Sequence, residues 1–337
     1  MISNRQKLVL IAIIEEYVKN GEPVGSRTLS KRPELQFSSA TLRNDMADLE
    51  DLGYLEKTHV SSGRIPSEKG YRLYVESILK EKDSFAQTPF PMIDEIFAKY
   101  ENSKEQAISE SMALVSDITN YASIVLGNSA QNSRVRRLEF ISLQDQYAII
   151  LMITDQGHVE SKRIIVPEGV SVKEIEKVVS ILDEIFHNHY VSEIPNLVNT
   201  EYLTDEIRDF VKYHESLVGV FINAFSQMAK DKYLVTGQSN ILSQPEFQDV
   251  EKVRDLFQAI ERRDILKVIE ANNDGITIKI GQENEVKAMQ DCTIITVPYE
   301  SNDGSRGTIS ILGPTRMEYD KVIPLLEHIA KNVKKII

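Results

Sequence analysis

Between residues 38 and 64 the chain gathers the side-chain types that read nucleic acid. Ser38, Ser39 and Thr41 offer small hydroxyls, Arg43 and Asn44 follow within a turn of helix, and Lys57 and Arg64 flank the short segment Val60-Ser61-Ser62-Gly63. Arginine makes bidentate hydrogen bonds to the guanine edge and asparagine to the adenine edge, so Arg43 and Asn44 are the candidates for base contacts. Ser39, Thr41, Lys57 and Arg64 are of the types that grip phosphate and fix register. Ser38 stands with them at the start of the helix, where free backbone N–H groups also favour an anion.

Nothing comparable points to catalysis. There is no glycine-rich phosphate loop, no nucleophile elbow and no zinc-type histidine pair. His187 and His189 are spaced i, i+2, which on a helix points them apart. The single cysteine, Cys292, excludes an intrachain disulfide and a cysteine-based zinc site. It lies in an apolar strand pattern and reads as a buried, inert thiol. The expectation is a non-enzyme with no metal site and no cofactor.

The elements that must position residues 38–64 are legible around them. Ser3 caps a helix to Asn20, with Leu10, Ile14 and Tyr17 on one face and Asn20-Gly21 as the stop. Pro23-Val24-Gly25-Ser26 is a turn, and Ser26 is expected to cap a short helix from Arg27 to about Arg32. Ser38 or Ser39 caps the third helix, in which Leu42, Met46 and Leu49 form the inward stripe and Gly53 the left-handed end. Two short strands, Leu55–His59 and Arg64–Pro66, then make a hairpin, and Ser67 caps a helix carrying Tyr71, Tyr74 and Leu79. Three helices and a hairpin in this order make a winged helix-turn-helix, a fold that lays one helix in the DNA major groove.

Charge placement agrees. The 337 residues carry a net charge of −12. Residues 1–80 hold 12 Lys/Arg against 11 Asp/Glu, leaving 27 against 40 for the remainder. An acidic body with a locally basic head suits a protein that touches phosphate with one end. The start of the chain has no signal-peptide layout, because Glu15 and Glu16 interrupt the apolar stretch, and no apolar run reaches the length of a membrane span. A cytoplasmic location without membrane contact is expected.

Three separated segments carry a family resemblance. The first joins Pro23-Val24-Gly25-Ser26-Arg27-Thr28-Leu29, Ser38 to Glu50, and Ser62-Gly63-Arg64-Ile65-Pro66-Ser67 with Gly70-Tyr71-Arg72. The others are Asn240-Ile241-Leu242-Ser243-Gln244-Pro245-Glu246-Phe247 and Gly313-Pro314-Thr315-Arg316-Met317-Glu318-Tyr319. In this order they resemble the HrcA family of heat-inducible transcription repressors, from whose commonest form the hairpin tip departs. The resemblance implies a homodimer that binds double-stranded DNA at an inverted-repeat operator, the CIRCE element, and that depends on the GroE chaperonin to stay active.

Beyond the head, a helix is expected from Glu105 to Asn120, strands at Leu138–Ser142, Tyr147–Thr154 and His158–Val166, and a helix from Ser171. A long helix through Leu203, Ile207, Phe210, His214, Leu217, Phe221, Ala224 and Met228, with a second stripe of Val211, Val218, Ile222 and Phe225 beside it, is apolar over an arc too wide for one neighbour. Phe210, His214, Leu217, Phe221 and Phe225 are therefore expected at a dimer interface, with core packing as the plainer account of the same stripe. Strands return at Gly275–Gly281, Cys292–Tyr299 and Gly307–Leu312 before a terminal helix. Together with the resemblance this gives an α+β multidomain chain. Its expected parts are a winged-helix DNA-binding domain at 1–80, a linker at 81–103, a GAF-like α/β domain in two parts at 104–170 and 246–337, and an inserted helical dimerisation domain at 171–245. A rival reading is a small-molecule-responsive regulator that uses the GAF-like domain as sensor; the segment Asn302–Gly307 is polar enough for such a site but reads more simply as a hairpin loop.

Overall fold

The computed structural model describes residues 2–335 except 58–62, 81–88, 102, 128–132, 144–146, 156–158, 167–168, 198–214, 229–232, 270–274 and 303–305. The chain divides into two compact units. One comprises Met1–Val125, Leu234–Asp303 and Thr308–Ile337, the other Leu126–Tyr233 with Gly304–Gly307.

The first unit opens with α1 (Asn4–Asn20), capped by Ser3, which accepts from the Gln6 N–H while the Gln6 side chain accepts from the Ser3 N–H. Gly21 ends it in the left-handed region at φ 69°. Helix α2 (Ser26–Leu29) is shorter than its sequence suggests. Gly25, not Ser26, is its N-cap; the Ser26 hydroxyl instead meets that of Ser39 at 3.0 Å, joining α2 to α3 (Ser39–Asp51). Leu42, Met46 and Leu49 are buried as expected. Gly53 follows at φ 77°, with the Tyr54 N–H bonded to the Leu49 carbonyl, so the chain reverses tightly into the hairpin. Strand β1 (Leu55–Lys57) pairs antiparallel with β2 (Arg64–Pro66), Lys57 opposite Arg64. Val24 adds a bridge to Arg64, which ties the turn before α2 to the hairpin.

Helix α4 (Glu68–Lys80) lies under the hairpin at very close range. A Cβ on Gly70 would stand 2.4 Å from the Tyr54 carbonyl oxygen, a backbone atom that cannot step aside. Gly70→Ala should therefore destabilise by about 1–3 kcal/mol, the usual cost of overpacking, despite alanine's better helix propensity. Urea unfolding measures this, and an unchanged midpoint would contradict the fit.

The same unit continues with α5 (Pro91–Lys99), α6 (Lys104–Thr119), α9 (Gln238–Leu242), α10 (Val250–Glu261), the short α11 (Leu266–Ile269) and the closing helix α12 (Tyr319–Val333). Between them runs a five-stranded sheet in the order β7-β3-β10-β9-β8, formed by Tyr233–Thr236, Ala122–Leu126, Arg306–Pro314, Cys292–Glu300 and Thr277–Ile280. Strand β9 is buried over most of its length, Cys292 included. Part of the expected linker is thus structured: α5 buries Ile93 and Phe97 in the common core, and Asp94 accepts from His328 at 2.6 Å and Asn332 at 2.8 Å on α12. On α6, Ile108, Met112, Val115 and Thr119 point inward while Ile118 is exposed.

One hydrophobic core runs from α1 through α4 to α12, so the DNA-reading candidates stand on the same core as the sheet. The three sequence segments that carry the family resemblance converge there. Arg316 donates to Glu246 at 2.6 Å and to the Val18 carbonyl at the end of α1 at 2.8 Å. Arg72 of α4 pairs with Glu283 and donates to the Ile278 carbonyl at 2.7 Å. Tyr319 lies 6.0 and 6.3 Å, ring to ring, from Tyr71 and Tyr74.

The second unit is a three-stranded antiparallel sheet, β4 (Val135–Ser142), β5 (Tyr147–Thr154) and β6 (Val159–Ile165), covered on one face by α7 (Val172–Phe186) and α8 (Glu215–Met228). Ser171 and Glu174 form the capping box of α7. The expected boundary at 170 is corrected here. Strands β4–β6 share their core with α7 and α8, because Ala148, Ile150 and Met152 face Ile175, Val178 and Leu182. Alternation along a strand shows that one face is covered, not which helix covers it.

Candidate nucleic-acid interface

Helix α3 is held from behind. Asp45, buried at 1% exposure, receives a bidentate pair from Arg5 of α1 at 2.8 and 3.0 Å, and Asp48 accepts from Gln6 at 3.0 Å. With Leu42, Met46 and Leu49 facing the core, Arg43 and Asn44 are turned outward and exposed. Neither has a hydrogen bond or ion pair among the described residues. A long cation and a carboxamide, both uncommitted, on a helix locked at its back by a salt bridge is the arrangement needed to meet base edges without reorganisation.

The hydroxyls have different work. Ser38 is the N-cap of α3, accepting from the Thr41 N–H at 3.1 Å and meeting the Thr41 hydroxyl at 2.9 Å. Ser39 is half-buried against Ser26. Ser38 and Thr41 thus build the helix start, and Ser39 joins it to α2. A phosphate at this end would meet the backbone N–H groups as much as these side chains.

The two hairpin cations also part company. Lys57 is exposed with no ion pair among the described residues. Arg64 is not a free grip: its guanidinium pairs with Glu50 of α3 at 2.6 Å and is 16% exposed. The expectation that Arg64 stands ready for phosphate is corrected accordingly. Its side chain fastens the hairpin to α3, while its backbone bonds Val24 in both directions at 2.9 Å. Residues 58–62, the expected tip, lie outside the described residues.

Sorting the basic residues by partner reveals two that sequence reasoning misses. Arg5, Arg32, Arg64 and Arg72 are committed to carboxylates. Arg27 of α2 and Lys31 just after it are exposed, with no ion pair among the described residues, and join Arg43 and Lys57 as uncommitted positive charge. The signal is present in sequence, since a helix-turn-helix places the start of its first short helix near the backbone. What distinguishes Arg27 from Arg32 is the partner, and partners are not visible in sequence.

The expected interface on α8 is also corrected. Leu217, Phe221 and Phe225 are 2%, 0% and 0% exposed within a single chain. Phe225 packs edge-on against Phe186 of α7 at 5.8 Å, so these side chains are already covered by their own unit. Phe210 and His214 lie outside the described residues, as does Asp303–Ser305 of the polar loop. His187 bonds the Arg136 carbonyl at 3.1 Å and ends α7.

No helix among the described residues is long and apolar enough to cross a membrane. Residues 105–323 match the family described as HrcA protein C terminal domain. The heat-inducible transcription repressor HrcA of Acholeplasma laidlawii (strain PG-8A) is 41% identical over 336 residues, 100% of this chain and 98% of that protein. The protein of the same name from Bacillus pumilus (strain SAFR-032) is 40% identical over 335 residues, 99% and 97% of the two chains. A solved structure described as "Crystal structure of a hypothetical protein at 2.2 A resolution" superposes with a TM-score of 0.66 at 24% identity, covering 100% of this chain and 98% of that one. That likeness is one of fold.

Proposed function

Because the chain belongs to the HrcA family of heat-inducible transcription repressors, we propose that it represses heat-shock operons by placing α3 in the major groove of an inverted-repeat operator. The observation that carries this reading is the outward, uncommitted pair Arg43 and Asn44 on a helix fixed from behind by Arg5–Asp45. Residues 1–80 are read as a winged helix and the five-stranded sheet with its helices as a GAF-like domain. Arg27, Lys31 and Lys57 supply phosphate contacts around the base-reading pair.

An inverted repeat calls for two copies. The face of the β4–β6 sheet away from α7 and α8 supports a dimer better than the apolar stripe of α8 does. Cross-strand register puts Ile141, Ile149, Leu151, Ile153, Val159 and Ile165 on it together with Arg137, Glu139, Ser161 and Arg163, and Val159 and Ile165 are 59% and 65% exposed. Exposed apolar side chains interspersed with polar ones are the composition of an interaction surface. CIRCE as the operator and GroE as modulator rest on the family resemblance, with heat acting by lowering the population of competent dimer.

Fluorescence anisotropy of the full chain across a salt series tests the reading. Tight binding to an inverted-repeat duplex should disappear on scrambling it and drop sharply when one half-site is destroyed. Ile165→Lys should give the same drop and shift sedimentation to monomer. Equal, weak binding to all duplexes, with and without chaperonin, would overturn the repressor reading. A monomer that still needs both half-sites would overturn the proposed face.

A further inference from the structure

One face of the hairpin changes character along its length. Leu55 and Pro66, opposed at its base, are both buried. Further out on the same face Lys57 stands opposite Arg64, and directly opposed residues of an antiparallel pair lie about 5 Å apart at Cβ. Two like charges so placed repel each other, and a phosphate oxygen between them would relieve both.

The chain sets an anion of its own there. Glu50 of α3 pairs with the Arg64 guanidinium at 2.6 Å, and the two side chains are 30% and 16% exposed. The backbone of Arg64 is fixed, since it exchanges two hydrogen bonds with Val24 at 2.9 Å. What can change is the partner of its guanidinium. Glu50 also stands where a carboxylate is costly. Arg43, Ala47 and Glu50 follow at i, i+4 and i+7 and so share one side of α3, with Arg43 and Ala47 exposed. A negative charge on the side that carries Arg43 opposes the approach of a polyanion.

We propose that Lys57 and Arg64 form a phosphate site which Glu50 masks, its carboxylate standing in for the phosphate. The inference rests on the DNA-binding reading of α3. Lys57, which has no ion pair among the described residues, grips phosphate as it stands, whereas Arg64 joins it only once Glu50 lets go. The mask acts on every duplex alike, because phosphates carry no sequence. It therefore restrains the sequence-independent part of binding, which consists almost wholly of phosphate contacts.

Anisotropy of the full chain on a scrambled duplex across a salt series tests this. Glu50→Gln should bind it about fivefold more tightly, and the salt slope should steepen by about 0.9, the counterion release that goes with one added phosphate contact. Arg64→Met added to Glu50→Gln should bring the slope back to the wild-type value. Asp51→Asn removes an exposed carboxylate of α3 that has no ion pair among the described residues, and should give less than half of either change. Thermal melting checks the fold of each variant. Where Glu50→Gln does not fold, the double variant still decides, because packing can replace the pair once both charges are gone. A double-variant slope about 0.9 shallower than the wild type would show that Arg64 already grips phosphate, and would overturn the mask. An unchanged slope for folded Glu50→Gln, or an equal gain from Asp51→Asn, would overturn it too. A wild type that binds no duplex sinks the repressor reading and this inference with it, whereas failure of the variants alone leaves that reading standing.

Discussion

Arg43→Ala should weaken binding to the operator duplex by about 1–3 kcal/mol, roughly 5- to 150-fold, and should erode the preference over a scrambled duplex by a similar factor. The free protein should melt as before. Arg43 is exposed and makes no hydrogen bond or ion pair among the described residues, so its removal subtracts nothing from the fold. Lys57→Ala is the matched control: without its grip on phosphate, all duplexes should bind more weakly alike and the salt slope should fall by about one. Arg64 cannot serve as that control, because its guanidinium holds Glu50 and a substitution there changes the hairpin along with the charge. Competition anisotropy with the two duplexes separates these cases. Should Arg43→Ala depress both affinities equally, Arg43 contacts backbone and another residue of α3 reads the bases.

Arg316→Ala should cost about 2–4 kcal/mol in urea unfolding. Removing one partner of a buried pair typically costs about 3–5 kcal/mol, and the 27% exposure of the Glu246 side chain moderates that figure. Arg316 also neutralises the carboxyl-terminal end of α1 through the Val18 carbonyl, where a cation is favoured by the helix dipole. After truncation Glu246 keeps its charge and loses the guanidinium on Oε1, while Oε2 has no partner to begin with. The double variant Arg316→Met with Glu246→Gln should lose less than the two single changes added together, because packing can replace a buried pair once both charges are gone. A loss below about 0.5 kcal/mol for Arg316→Ala would reduce the contact to a surface ion pair.

The head is readable from sequence because local rules decide it. Ser3 and Gly21 bracket α1, the Leu42, Met46 and Leu49 stripe orients α3, and Gly53 turns the chain, all through interactions within a few residues. What escapes depends on partners far along the chain. Arg5 finds Asp45 and Arg64 finds Glu50, and no periodicity separates those arginines from Arg27 or Arg43. The stripe on α8 misleads for a related reason. Leu217, Phe221 and Phe225 demand cover, and a strand of the same chain satisfies that demand as well as a second copy would. Ser26 has the side chain of a cap, yet its neighbour Gly25 takes the extended cap conformation without a side chain, freeing the Ser26 hydroxyl for Ser39. The resemblance motifs at 240–247 and 313–319 are visible as words, but not their meaning, which is that they meet α1 and α4 on one core.

The order β7-β3 in the five-stranded sheet bears on how the chain could have been assembled. Strand β3 ends at Leu126 and β7 begins at Tyr233, so the chain departs from one strand and re-enters on its immediate neighbour. Topologically, the roughly one hundred residues between are a single oversized connection between adjacent strands. The entropy of closing a connection grows only with the logarithm of its length, about 2 kcal/mol for each tenfold. A whole folded cassette can thus be spliced in, lengthened or exchanged at that point while the sheet keeps its register. Whatever the cassette contributes can vary among relatives without disturbing helix α3.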